Sequence, residues 1–185
     1  MSMYIEPIQG RHRLHIFGAG HVAAPTAALA ARCGFQVSVV DEREDWCTKL
    51  RFPDAHTLST AHHLDYVHER SMSPLDYVVI TTHNHDHDRE ILGRMLEEEP
   101  GYVGMIGSTR KAQKALRELA AAGCPAEALE RAHTPIGLDI LAETPDEIAV
   151  SIVGEMIRHR HAHSSLKQTH GKAVASLKEG DGSQP

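Results

Sequence analysis

Two patterns of apolar residues alternate along the chain. Short continuous runs at residues 14–17, 36–40, 75–82 and 102–106 are rich in Val, Ile and Leu. They read as strands buried on both faces of a parallel sheet. Between them lie stretches with helical spacing. Residues 21–33 form an Ala-rich helix that stops at Gly34, although Pro25 is expected to disturb its first turns. Residues 86–98 form a second helix, and Gly107-Ser108 opens a third that runs to Gly123. Residues 41–52 are charged and partly helical. Weaker signals place a short strand at residues 56–59, a small helix at residues 126–131 and a last short strand at residues 133–136. The final helix is sharply marked: Thr144 caps it, Pro145 takes its first position and Glu147 completes a capping box. Ile148, Ile152, Val153, Met156 and Ile157 then share one face. Residues 1–12 read as an irregular lead-in. The segment from Ser164 to the end is polar and expected to be disordered, which leaves one domain over residues 1–163 and a tail over 164–185.

Strands alternating with helices imply right-handed crossovers and a doubly wound, mainly parallel sheet with helices on both faces, a single α/β domain. In such sheets ligands bind outside the carboxyl ends of the strands, and the polar and glycine-rich segments of this chain collect there. The first strand runs into Gly18-Ala19-Gly20-His21-Val22, with Ala23 in the third small position, and Asp41 closes the next strand. This is the fingerprint of a Rossmann-like nucleotide or cofactor site, whose backbone N–H groups and helix start cradle a phosphate. Asp41 accepting from a ribose hydroxyl favours NAD, whereas Arg43 would meet the extra phosphate of NADP; the sequence keeps both. Ordinary dinucleotide binding does not require His21, which puts an imidazole at the phosphate as a donor or proton carrier.

Three further strand ends carry candidates. Gly107-Ser108 followed by Arg110 and Lys111 reads as a second anion site, with a capped helix bearing two solvated charges as the competing reading. Gly137 closes a turn after the last strand. After the strongest strand comes Thr82-His83-Asn84-His85-Asp86-His87-Asp88, which is similar to the HxHxDH run of metallo-β-lactamase-type hydrolases. The order at 87–88 is reversed, however, and Asp86 and Asp88 equally suit the first turn of a helix. Thr82 and His83 are therefore read as rim residues that contact a ligand. A metal hydrolase on His83, His85 and His87 is kept as a rival, and the leading reading assigns no metal ligand.

Composition narrows the partners. The 185 residues carry a formal charge of −6, which argues against nucleic acid and anionic membranes as ligands. No apolar run approaches the ~20 residues that span a bilayer, and the first residues lack the apolar core of a secretion signal. Three widely spaced cysteines, Cys33, Cys47 and Cys124, suggest reduced thiols and a cytoplasmic protein. Cys33 and Cys47 are expected in the core.

Taken in order, several segments resemble the C-terminal domain of the XdhC/CoxI family of xanthine dehydrogenase accessory factors. They are His15-Ile-Phe-Gly-Ala-Gly-His-Val-Ala23, Asp41-Glu-Arg43, Arg51-Phe-Pro53, Thr82-His-Asn-His85, Gly104-Met-Ile-Gly-Ser108 with Arg110-Lys111, Pro135-Ile-Gly-Leu-Asp-Ile140 and Glu143-Thr-Pro-Asp-Glu-Ile-Ala149. The resemblance covers residues 12–160. It implies a maturation factor, not a turnover enzyme, that binds a molybdopterin-type molybdenum cofactor, assists its sulfuration and inserts it into a molybdenum hydroxylase. That hydroxylase and a cysteine desulfurase are the partners it implies. On this reading the loop at Gly18 and Gly20 holds a phosphate, the Gly107-Ser108 turn holds another polar group, and His21, Asp41 and His83 line the pocket. Many members carry an additional N-terminal domain with a cysteine motif. It has no counterpart in this sequence, which leaves two expectations: a separately encoded partner supplies it, or this chain keeps only nucleotide binding. The apolar face of the last helix is compatible with a homodimer. An NAD(P)-binding oxidoreductase or nucleotide-binding regulator is the alternative function, although no Tyr-x-x-x-Lys catalytic pair accompanies the fingerprint.

Overall fold

The computed structural model describes residues 10–163, except for the side chains of His85 and His163. The residues read as the start of the lead-in (1–9) and as the polar tail (164–185) lie outside the described residues. In chain order the elements are β1 (Arg13–Phe17), α1 (Ala23–Arg32), β2 (Gln36–Val40), β3 (Thr57–Ser59), α2 (His63–His68), β4 (Asp76–Ile80), α3 (His85–Glu98), β5 (Tyr102–Met105), α4 (Thr109–Ala121), α5 (Ala126–Leu129), β6 (Ala132–His133) and α6 (Pro145–His163). The strands form one sheet in the order β3-β2-β1-β4-β5-β6, and every pairing is parallel. The doubly wound α/β expectation therefore holds, with a wholly parallel sheet. From β1 the chain winds outward through β2 and β3, then crosses back to place β4 on the other side of β1. That reversal opens a crevice outside the carboxyl ends of β1 and β4.

The period-2 alternation of strand side chains divides the core in two. Leu14, Ile16, Val37 and Val39 pack with Ala23, Ala27 and Ala30 of α1 and with Ile152, Val153 and Met156 of α6. Phe17, Val40, Val78 and Ile80 pack with Tyr66 and Val67 of α2 and with Ile91, Leu92 and Met95 of α3. Removing an apolar side chain of this size from water stabilises the fold by ~1.5–3 kcal/mol. The alanines of α1 let α6 lie close against it. The predicted capping box of α6 is present: the Glu147 N–H donates to Thr144 Oγ1 at 3.3 Å, and the Thr144 N–H donates to Glu147 Oε2 at 2.9 Å. Among the described residues no helix is long and apolar enough to cross a membrane.

Several boundaries differ from the sequence expectation. Helix α1 begins at Ala23. Pro25 sits in its first turn, where a helix has no acceptor for the N–H that proline lacks, so the disturbance expected there does not arise. Strand β6 contracts to Ala132–His133 because Pro135 has no N–H to donate, and the Ile136 N–H then reaches Met105 O at 3.0 Å. Helix α2 has no counterpart among the elements the sequence predicts. Its six residues hold only a short apolar stretch, too brief for a periodic signal, and the burial of Tyr66 and Val67 holds it in place.

Candidate functional site

The glycine loop is stitched to both neighbouring strands. The Gly18 N–H donates to Val40 O at 2.8 Å, and the Thr81 N–H donates to Phe17 O at 2.8 Å. Gly18 has φ +100°, and a Cβ there would lie 2.5 Å from Thr81 O, so this position requires glycine on two counts. Ala19 is fully buried, and its N–H donates to Asp41 Oδ2 at 2.7 Å. Val22 caps α1 without a side-chain hydrogen bond, and no acidic residue lies in the first turn. The start of α1 therefore carries neither a side-chain cap nor a carboxylate of its own.

Asp41 is buried and spent within the protein. Its Oδ1 accepts from the Arg43 backbone N–H at 3.0 Å and Arg43 Nε at 2.8 Å, while Oδ2 accepts from Arg43 Nη2 at 2.7 Å and from Ala19. Burial alone would raise this carboxyl, but the Arg43 guanidinium and the two amide donors outweigh it and hold the pKa at about 2. Arg43 then continues outward: its guanidinium carbon lies 4.6 Å from the centre of the Trp46 ring. Arg51 lies 4.2 Å from the same indole, and the His21 ring meets it edge-on at 5.5 Å. Trp46 therefore gathers Arg43, Arg51 and His21 beside the glycine loop. Next to it Cys47 points inward, donating to Val39 O at 3.7 Å and Ser59 O at 3.6 Å, and burial pushes its thiol pKa up. That is the core position expected of it, whereas Cys33 is only half-buried.

Beyond β4, Thr82 is buried, and Asp88 Oδ1 accepts from its hydroxyl at 2.6 Å and from its backbone N–H at 3.1 Å. Asn84 caps α3 by accepting from the Asp86 N–H at 3.0 Å. This segment is thus organised as a helix start. His83 is exposed on the rim. His87 turns instead toward His62 and His63, its ring 5.6 Å from each. The Nδ1 atoms of His63 and His87 are buried without a hydrogen-bond partner, and burial lowers the pKa of His63. Among the described residues no group of three His, Cys, Asp or Glu is arranged to hold a metal ion.

At the ends of β5 and β6, Ser108 caps α4 by accepting from the Lys111 N–H at 3.4 Å. Ser108, Arg110 and Lys111 are exposed. Gly107 and Gly137 line one cavity of about 520 Å³ with Ile106, Ile136, Leu138 and Ser151. The residues lining it include neither the glycine loop nor Asp41 and Arg43.

Gly18, Ala19, Gly20, His21, Val22, Asp41 and Arg43 therefore form one assembly, and Thr82 follows Thr81, which packs on Gly18. Gly107 and Gly137 meet in a second place. Sequence reasoning misses Trp46 as an organiser of the rim and gives Arg51 no role beyond its place in a motif. The one available signal is a tryptophan flanked by arginines in the loop after β2. Nothing in the sequence points to His62 and His63.

The comparisons with known proteins agree with this architecture. A protein of Bacillus subtilis, described as a probable subunit of xanthine dehydrogenase, is 38% identical over 159 residues, which is 86% of this chain and 46% of that protein. The Escherichia coli protein YqeB is 36% identical over 159 residues, 85% of this chain and 29% of its own length. A crystal structure of a xanthine dehydrogenase from Bacillus halodurans superimposes with a TM-score of 0.76 at 33% identity, covering 85% of this chain and 47% of that one. The chain thus spans less than half the length of each of these relatives. The XdhC Rossmann domain family matches residues 14–156, and the chain belongs to that family.

Proposed function

We propose that this domain binds the molybdenum cofactor by its phosphate-bearing end and presents it during sulfuration and insertion into a xanthine dehydrogenase-type hydroxylase. The observation that carries this reading is the membership of the chain in a family with relatives named for xanthine dehydrogenase, joined to a glycine loop backed by cations. The residues present suit a phosphate: a helix start with no cap of its own, His21 and Arg51. They do not suit sulfur transfer. Cys47 is buried with a raised pKa, Cys33 follows the far end of α1, and Cys124 follows α4. The sulfur donor is therefore a partner such as a cysteine desulfurase, and this chain holds and orients. When bound, the cofactor supplies the molybdenum centre; the protein supplies backbone donors, positive charge and a wall at Thr82 and His83.

The test is binding of molybdopterin to the purified protein, together with activation of an apo molybdenum hydroxylase. Stoichiometric binding and a several-fold rise in activation are expected. Folded protein that shows neither removes the proposal. NAD(P) binding is a second reading, favoured by the fingerprint and the strand order. Recognition of an unmodified ribose diol is the part of it with least support, because Asp41 is already committed to Arg43 and Ala19.

A further inference from the structure

In dinucleotide folds the acid at the end of β2 is free to accept from a ribose diol. Here it is not. Both oxygens of Asp41 accept from donors within the protein, and Arg43 covers it. The arginines and the imidazole at this end of the sheet are gathered on Trp46. Arg51 is half-buried and lies 4.2 Å from the indole centre. Among the described residues it has no salt bridge and no side-chain hydrogen bond, and its contacts are the rings of Trp46 and Phe52. A stacked guanidinium is a fixed cation whose planar fork keeps its N–H donors at the edges, so little freedom is lost when an anion arrives. His21 adds a donor on the side next to Gly20. The acids of the same loop, Glu42, Glu44 and Asp45, are exposed.

We propose that Arg51 and His21, gathered on Trp46, seat a phosphomonoester beside the glycine loop. The rim then prefers a ligand with a doubly charged phosphate at the β2 end over one with an unmodified ribose diol there. A dianion takes charge-assisted hydrogen bonds from both groups, whereas a diol meets a covered carboxylate and an unpaired cation. The inference rests on reading this rim as a cofactor site, and it adds the residues that select the phosphate.

Trp46 is the single tryptophan of the chain, so its emission reports on this cluster alone. NADPH and NADH serve as probes because they differ only by one phosphate on the adenosine ribose. Quenching of Trp46 is expected to saturate at a concentration about tenfold lower for NADPH than for NADH, a charge-assisted contact of ordinary strength. Arg51→Gln is expected to abolish that preference by raising the NADPH midpoint to that of NADH. His21→Gln, at an exposed position, reduces the preference in part and covers the case in which the Arg51 variant fails to fold. Equal affinities, no binding of NADPH at millimolar concentration, or a preference that survives Arg51→Gln would each overturn the proposal. Molybdopterin binding is measured on the same preparation. If molybdopterin binds while the two probes are not distinguished, the phosphate seat falls and the cofactor reading stands.

Discussion

Asp41 and Asp76 are buried to the same degree, 2% and 1% exposed, at opposite ends of one sheet. Asp76 opens β4 and accepts from Arg13 Nε and Nη2, both at 2.6 Å, from His15 Nε2 at 3.0 Å, and from the Ser73 amide and hydroxyl, both at 2.8 Å. Its donors belong to the adjacent strand or to the turn just before it, so the network closes on itself. Asp41 also has every oxygen engaged, but its main partner reaches outward: Arg43 binds the carboxylate with one edge and lies over Trp46 with its face. A buried carboxylate does two different jobs here. One fixes how strands meet; the other fixes where a rim of cations stands. Only the second lies at the strand ends where the proposed cofactor would sit.

Of the two acids, Asp76 carries the larger share of stability, and Asp76→Ala gives no specific loss of binding. It removes the carboxylate that accepts from His15, Ser73 and the half-exposed Arg13, which costs on the order of 3 kcal/mol. Thermal denaturation is expected to show a fall of roughly 10 °C for a chain of this size. Ligand affinity of the protein that remains folded stays at the native value. A drop of a degree or two would mean that the network contributes little. Next in size is Gly18→Ala. A residue with a Cβ at φ +100° is strained by ~1–3 kcal/mol before its contact with Thr81 O is counted. Unlike Asp76→Ala, this change also displaces the loop, so calorimetry is expected to show both a lower melting temperature and weaker phosphate binding.

Asp41→Asn separates the two regions further through pH. The Asp41 carboxyl is lowered from its ordinary 3.8 to about 2 in the folded protein. The stabilisation is therefore fully present above about pH 4 and is lost as the pH falls through 2, a contribution of about 2 kcal/mol at neutral pH. Asp76 is lowered too: burial opposes ionisation, and the donors from His15, Arg13 and Ser73 outweigh it. Acid unfolding is accordingly expected to steepen below pH 4 in the native protein. Asp41→Asn makes the curve shallower in that interval and frees Arg43 to move. An unaltered acid limb would show that the Arg43 contact holds nothing.

How much of this is legible in the sequence follows from range. The fingerprint, the α6 capping box and the Ser108 cap are written in residues a few positions apart, and the fold keeps them as local geometry. The doubly wound sheet follows from the alternation of elements, because right-handed crossovers leave few arrangements. The contacts that decide roles are not local. In the sequence Asp41 reads as open to a ribose, and only the folded loop brings the Ala19 N–H and the Arg43 fork onto it. His83, His85 and His87 look like one cluster because they are near in sequence. Helix α3 turns His87 toward His62 and His63, residues from a segment with no apolar period to announce it.

The smallest predicted effect, that of Tyr102→Phe, concerns a third buried acid, Glu155 on α6. The Tyr102 hydroxyl donates to its Oε1 at 2.5 Å, and His133 Nδ1 lies 3.1 Å from the same oxygen. Burial raises the Tyr102 hydroxyl pKa and would raise Glu155, but the two hydrogen bonds on the carboxylate win and lower Glu155. The Tyr102 ring also stacks on Tyr77 at 5.4 Å and on His133 at 4.4 Å. Tyr102→Phe keeps the rings and leaves Glu155 with His133, so the loss is a single hydrogen bond, about 1 kcal/mol. Tyr102→Ala removes the stack as well and costs about 3–5 kcal/mol. Denaturant midpoints for the pair measure the gap. A small gap would make Glu155 the anchor of α6, like Asp76 in β4. A wide gap would assign the anchoring to the aromatic stack and leave the acid a minor role.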